Sequence, residues 1–216
     1  MPAADALAAA YEGARPDVVA MVPRGLRRVL DLGCSSGALG AALKARDGCA
    51  VTGVERDPAY AAAARVRLDA VVEGDLSVME FGQLGCFDGL VCADVLEHLA
   101  EPEAVLARAV AVLEPGAAVV VSLPNVRHWE TFWSLAVRGS WPRRSLGIFD
   151  RTHLRWFTLS DAWGLLEGAG LRVEAVHREL RLGPEGPMNP PLARALAVLP
   201  AARALVTYQH VLRARV

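Results

Sequence analysis

Arg28-Val-Leu-Asp-Leu-Gly-Cys-Ser-Ser-Gly37 is the stretch that decides the fold. Its first half is a short apolar run closed by glycine, the signature of a buried strand. Residues 37–46 follow with apolar positions at helical spacing and stop before the turn pair Asp47-Gly48. Between strand and helix lies Gly33-Cys-Ser-Ser-Gly37. Glycines in such a turn let the backbone approach a ligand, and the helix start offers unpaired N–H groups. Alone the turn says little, because strand-to-helix glycines occur throughout α/β proteins. The dinucleotide fingerprint G-x-G-x-x-G fits poorly, with Ser35 at its second glycine.

Working outward, residues 3–22 read as an Ala-rich helical lead-in interrupted by Gly13 and Pro16. Downstream come strand-like runs at 50–54, 70–73, 87–92 and 116–122, separated by helical patterns opening at Pro58 and spanning about 102–113. A helix at about 160–169 leads to a strand at 171–181, and a short helix over 192–199 leads to a last strand near 206–213. Strands alternating with helices predict βαβ units and a parallel sheet covered on both faces, with a ligand crevice where the strand order reverses. No repeat or linker divides the chain, so 1–216 reads as one domain.

Composition narrows the function classes. An apolar fraction of 53% supports a large core, and no run approaches the ~20 residues that span a bilayer. The amino terminus lacks a secretory pattern, so cytoplasm is the expectation. A net charge of −1 gives no electrostatic reason to expect nucleic acid or an anionic membrane as partner. Cys34, Cys49, Cys86 and Cys92 have no C-x-x-C spacing and read as reduced and mostly buried; no metal site is expected.

Chemistry gathers at the strand ends. Glu55 closes the second strand at a spacing from Gly33 that suits a carboxylate accepting both hydroxyls of a ribose, although a solvated acid would look the same. Gly74-Asp75-Leu76 ends the third strand, where an Asp can reach an adenine edge or simply form a turn. Cys92-Ala-Asp-Val-Leu-Glu-His-Leu99 ends the fourth. Four weak signals on four consecutive strand ends, in the order a doubly wound sheet requires, make a strong one together.

Asp31-Leu-Gly-Cys-Ser-Ser-Gly37, Val54-Glu55, Gly74-Asp75, Phe87-Asp88 and Val95-Leu-Glu-His-Leu99 resemble the successive motifs of the class I S-adenosylmethionine-dependent methyltransferases. The resemblance implies an α/β, Rossmann-like sheet of order 3-2-1-4-5-7-6 with its last strand antiparallel and helices on both faces. It implies S-adenosylmethionine as cofactor, S-adenosylhomocysteine as product, and a small-molecule acceptor methylated on O or N; a homodimer is compatible with it. By position it assigns Asp31, Gly33, Ser35 and Gly37 to the methionine part, Glu55 to the ribose, Asp75 and Leu76 to the adenine, and Arg56, Ala93, Asp94 and His98 to the same cofactor site. Tyr11 and Arg15 resemble the lead-in that closes over the cofactor in small-molecule methyltransferases. Phe149-Asp-Arg-Thr-His-Leu-Arg-Trp-Phe-Thr158 is similar to the D-R-T-H-L-R-F-F-T segment of that group, and Leu123-Pro-Asn-Val-Arg-His-Trp129 to a stretch of the MetW family, whose members work beside an acyltransferase. The second likeness supplies an alternative: an accessory protein with a methyltransferase fold that acts by binding a partner enzyme.

All five tryptophans lie between 129 and 163, and five arginines occupy 138–155. Residues 124–158 therefore read as an aromatic-rich cap over the acceptor, with Asn125, Trp129, Arg151, Arg155 and Trp156 as substrate contacts. A solvated face with Arg stacked on Trp is the plainer alternative. Methyl transfer mainly needs alignment, but a hydroxyl acceptor benefits from a base. His153 and His128 are the candidates for that base.

Overall fold

The computed structural model describes residues 13–183 and 188–216. Strand β1 (Arg28–Leu32) is buried at every position after its first. It pairs in parallel with β2 (Ala50–Glu55) on one side and β4 (Phe87–Ala93) on the other, so the strand order reverses at its edge. With β3 (Ala70–Glu73), β5 (Leu113–Pro124), β6 (Arg172–Leu180) and β7 (Thr207–Arg215) the sheet has seven strands in the order 3-2-1-4-5-7-6. β7 runs antiparallel to both of its neighbours. Fold class, strand order and the antiparallel last strand are those the motifs implied.

Alternation along each strand divides the core between the two faces. Leu30, Leu32, Leu90, Leu106, Leu123 and Leu166 pack on one side. Val29, Leu43, Val51, Val91 and Val120 pack on the other, against Val18 of α1 (Pro16–Met21). Each fully buried aliphatic side chain contributes roughly 1.5–3 kcal/mol relative to exposure, and this double layer is why the strand sequences show unbroken apolar runs.

Local chemistry fixes the helix ends. α2 (Ala38–Asp47) begins at Gly37, which takes a left-handed conformation. α3 (Pro58–Arg65) has Asp57 as its cap, the carboxylate accepting from the Ala59 and Tyr60 amides. α4 (Pro102–Val110) ends sooner than the periodicity predicts, because Leu113 already pairs with Phe87 as the start of β5. In the cap, α5 (Trp129–Phe132) continues into a single π-turn over Trp133–Val137. α6 (Leu159–Gly168) carries a capping box between Thr158 and Asp161. The short helix expected at 192–199 is instead two, α7 (Pro191–Leu196) and α8 (Pro200–Val206), the second opening on Pro200.

All four cysteines are free thiols; Cys34, Cys49 and Cys92 are buried and Cys86 is exposed. Among the described residues no helix is long and apolar enough to cross a membrane.

Candidate functional site

A cavity of about 540 Å³ opens at the carboxyl ends of β1 to β4 and passes under the segment 146–154. This is where a doubly wound sheet leaves its crevice. β1 contributes Asp31, 2% exposed, whose Oδ2 has no hydrogen-bond partner. Burial, reinforced by the nearby Glu55 carboxylate, pushes the Asp31 carboxyl up to about 7. After it the chain turns through Gly33 and Ser35, both at positive φ. A Cβ at Gly33 would lie 2.7 Å from Cγ2 of Val95, so glycine is required on steric as well as conformational grounds.

Glu55 is held by three backbone amides. Its Oε2 accepts from Ser35 at 2.8 Å, and its Oε1 accepts from Arg56 and Asp57, each at 2.8 Å. The carboxylate thus links the β1 and β2 loops on the cavity wall. Asp75, after β3, accepts from the Ser77 amide at 2.8 Å, which holds its carboxyl below the usual range. Leu76 is buried beside it and also lines the cavity.

Ala93 and Asp94 line the fourth strand end. Asp94 has positive φ and forms an ion pair with Arg15; its carboxylate also accepts from the Gln209 amide and, at 3.1 Å, from the Ser122 hydroxyl. Arg15 in turn donates to Ser122 at 2.9 Å and to Asp17 at 2.7 Å. The lead-in segment is therefore fastened to β5 and β7 at the cavity wall. Tyr11 lies outside the described residues.

The far corner of the cavity holds Glu97, His98, Asp150, Thr152 and His153. The His98 and His153 rings meet edge to face with centroids 4.7 Å apart. Burial, then the adjacent His98, pushes His153 down to about 4, so its ring is neutral at physiological pH. Burial likewise lowers His98 and raises Glu97, the latter to about 8.

The structure thus brings Arg15, Asp31, Gly33, Ser35, Glu55, Arg56, Asp75, Leu76, Ala93, Asp94, His98 and His153 to one cavity. Gly37 stands behind it, its Cα facing Ala64 and Leu68 of the next helical unit. The residues expected to contact the acceptor go elsewhere, each for a visible reason. Asn125 spends its amide on the carbonyls of Ala204 and Thr207, at 2.9 and 2.8 Å. His128 is fully buried as the cap of α5, with Nε2 3.0 Å from the Arg181 carbonyl. Trp129 donates to the Leu182 carbonyl at 3.0 Å. Trp156 packs edge to face on Trp141 in a separate shallow recess. Arg155 donates to the Ala100 carbonyl, and Arg151 is exposed.

Sequence reasoning missed Glu97, Asp150, Thr152, Leu146, Gly147, Tyr208 and Gln209, all of them cavity-lining. Glu97 was in view beside His98, and its apolar neighbours Leu96 and Leu99 were a signal that it points inward. Tyr208 and Gln209 arrive through the antiparallel register of β7, where Gln209 stands opposite Pro124. No local pattern announces that.

A family model described as "Methionine biosynthesis protein MetW" matches residues 15–190. The chain belongs to the MetW family. Among curated proteins this MetW-family chain is similar to the ubiquinone biosynthesis O-methyltransferase of Xylella fastidiosa (strain 9a5c), 30% identical over 72% of this chain and 65% of the relative. The enzyme of that name from Xanthomonas campestris pv. campestris (strain B100) is 34% identical over 52% of this chain and 48% of its own. The chain spans about half to two thirds of the length of these relatives. Of solved structures, a SAM-dependent methyltransferase from Archaeoglobus fulgidus superposes with a TM-score of 0.67 at 18% identity, covering 99% of both chains. The magnesium protoporphyrin IX methyltransferase of Synechocystis PCC 6803, solved with bound SAM, gives 0.58 at 15% identity over 95% of this chain and 79% of its own. The MetW-family chain thus has the class I methyltransferase fold.

Proposed function

We propose that this chain binds S-adenosylmethionine in the cavity at the β1–β4 ends and catalyses methyl transfer to an O or N atom of a small metabolite, sugar or natural product, with S-adenosylhomocysteine as the product. The observation that carries this reading is the convergence of Asp31, Glu55 and Asp75 on one cavity, with Asp31 Oδ2 buried and unpartnered. A buried carboxylate oxygen without a donor is costly, and the amino group of a bound amino-acid moiety is the partner it lacks. The residues therefore fit the cofactor.

Asp31 and the Gly33–Ser35 turn would hold the methionine part, Glu55 the ribose hydroxyls, and Asp75 with Leu76 the adenine. When bound, the cofactor supplies a methyl carbon already activated on a positively charged sulfur. What remains for the protein is alignment and exclusion of water. Arg15, fixed to Asp94, closes one side of the cavity, and Leu146, Gly147 and Leu154 cover it. The corner of Glu97, His98 and His153 is then the acceptor end, where the acceptor's proton is handled. Calorimetric titration with S-adenosylhomocysteine, wild type against Glu55→Ala, tests the cofactor assignment; unchanged affinity in the variant would sink it.

The second reading, an accessory protein that works by docking on a partner enzyme, is favoured by the family match across 15–190. The exposed side chains of Phe132, Trp133, Leu135 and Val137 on α5 and the π-turn support it. Cofactor binding with no transfer to any small acceptor, and co-purification with an acyltransferase that is lost in Trp133→Ala, would establish that role instead. A single domain over 1–216, a cytoplasmic location and a homodimeric state belong to the same proposal; size-exclusion chromatography checks the last.

A further inference from the structure

We propose that Glu97, His98 and His153 form a binding site for a divalent transition-metal ion at the far corner of the cavity. One potential ligand atom from each residue lies within 4.8 Å of the others. Two imidazoles and one carboxylate are a donor set that suits Zn²⁺, Mn²⁺ or Fe²⁺ better than Mg²⁺ or Ca²⁺, which prefer oxygen alone. Ligand atoms around such an ion, each about 2.0–2.2 Å from it, sit roughly 3–3.5 Å apart, so side-chain shifts of about 1 Å close the site.

The state of Glu97 is the independent reason. Its side chain is 2% exposed, and neither carboxylate oxygen has a hydrogen-bond partner. The ring nitrogen that approaches it is His153 Nε2, 4.0 Å from Oε1 and too far for a hydrogen bond. A folded protein rarely buries a bare carboxyl in this way, because the desolvation penalty is offset only by a donor, a counter-charge or a metal. The Asp31 carboxyl on the same cavity has one oxygen without a partner, but no imidazole is grouped with it as a metal ligand. Glu97 instead has two imidazoles at coordination range.

The imidazoles are prepared for the task. Thr152 has one hydroxyl proton and gives it to Asp150 Oδ1, at 2.6 Å. His98 Nδ1, 3.0 Å from the same hydroxyl oxygen, must then be the donor in that contact. This fixes the tautomer and leaves the Nε2 lone pair unengaged by Thr152, the outer-shell arrangement that metal-binding histidines use, with Asp150 as its carboxylate end. Backbone bonds hold the corner together: the Leu154 and Arg155 amides both donate to the Glu97 carbonyl, at 2.8 and 3.1 Å. His153 is thereby locked against the Leu96–His98 turn.

This inference deepens the methyl-transfer reading, on which it rests for the statement that this corner faces the acceptor. An ion here would hold an acceptor oxygen and lower the pKa of its hydroxyl, making His153 a ligand rather than a free base and favouring oxygen over nitrogen acceptors.

The full chain, stripped with chelator and returned to clean buffer, is titrated with ZnCl2 by calorimetry and with MnCl2 by electron paramagnetic resonance. One ion per chain is expected. Its affinity should fall roughly tenfold or more in Glu97→Gln and in His153→Gln, and stay unchanged in His177→Asn, which removes the part-buried His177–Glu179 pair on β6 as a control. Glu97→Gln should leave S-adenosylhomocysteine affinity intact, showing that the fold survives; if it does not fold, His153→Gln carries the comparison. No saturable binding below ~1 mM, binding that survives both substitutions, or loss of binding in His177→Asn would overturn the proposal. Failure of wild type to bind S-adenosylhomocysteine while still taking one ion would overturn the cofactor reading and leave the metal site standing.

Discussion

Replacing Asp31 by Asn should stabilise the ligand-free protein at alkaline pH and destroy the cofactor site. Asp31 is 2% exposed, with one carboxylate oxygen unpartnered, and its carboxyl is raised from 3.8 to about 7, chiefly by burial and then by Glu55. For an acid whose folded pKa is raised, the folded state binds the extra proton. Stability is fully present below about 3.8, falls as pH rises, and is lost by the time pH passes about 7. A shift of that size corresponds to roughly 4 kcal/mol in the ionised state. Asn removes the charge but keeps a buried, partly unpaired amide, so the net gain at pH 8 should be about 1–3 kcal/mol and should vanish in acid. Urea unfolding of wild type and Asp31→Asn at pH 5 and pH 8 measures this. S-adenosylhomocysteine should raise the midpoint of the wild type and leave the variant unmoved. A variant less stable than wild type at pH 8 would refute the reasoning, as would one that still binds the ligand.

Glu55→Ala removes the acceptor of the Ser35, Arg56 and Asp57 amides, and S-adenosylhomocysteine affinity should fall about 30-fold or more, equivalent to about 2 kcal/mol; calorimetry reads it. His153→Ala should lower turnover at saturating cofactor while leaving cofactor affinity within about threefold, since His153 sits in the acceptor corner; steady-state kinetics beside calorimetry separate the two effects. His210 is buried between Leu123 and Arg178 of the flanking strands with neither ring nitrogen partnered, and burial pushes it down from 6.5 to about 4. The unfolded chain therefore takes up a proton first, and stability should fall by up to about 1.4 kcal/mol per unit as pH drops from 6.5 toward 4. Thermal unfolding of His210→Leu should show that slope reduced relative to wild type.

The strand order and the cofactor half of the cavity were legible because each signal is local. Gly33, Glu55 and Asp75 stand at ends of apolar runs, and an end of a parallel strand in this topology has one place to face. The acceptor half was not, because it depends on which way a cap folds. Trp129, His128 and Asn125 share a stretch with cavity residues, yet they turn to satisfy the carbonyls of Leu182, Arg181, Ala204 and Thr207. Those partners lie 53 to 82 residues away, and no periodicity encodes them. Glu97 is legible only in part: its apolar neighbours Leu96 and Leu99 signal an inward side chain, while an acid next to a histidine reads equally as surface. Helix ends slipped where tertiary pairing intervened, as at Leu113.

The central claim is that the β1–β4 ends hold S-adenosylmethionine. A crystal structure of the chain with S-adenosylhomocysteine tests it most directly. The account predicts ribose hydroxyls on Glu55, adenine beside Asp75 and Leu76, and the amino group on Asp31. Density for the ligand in any other place, or an empty cavity at saturating ligand, would contradict it.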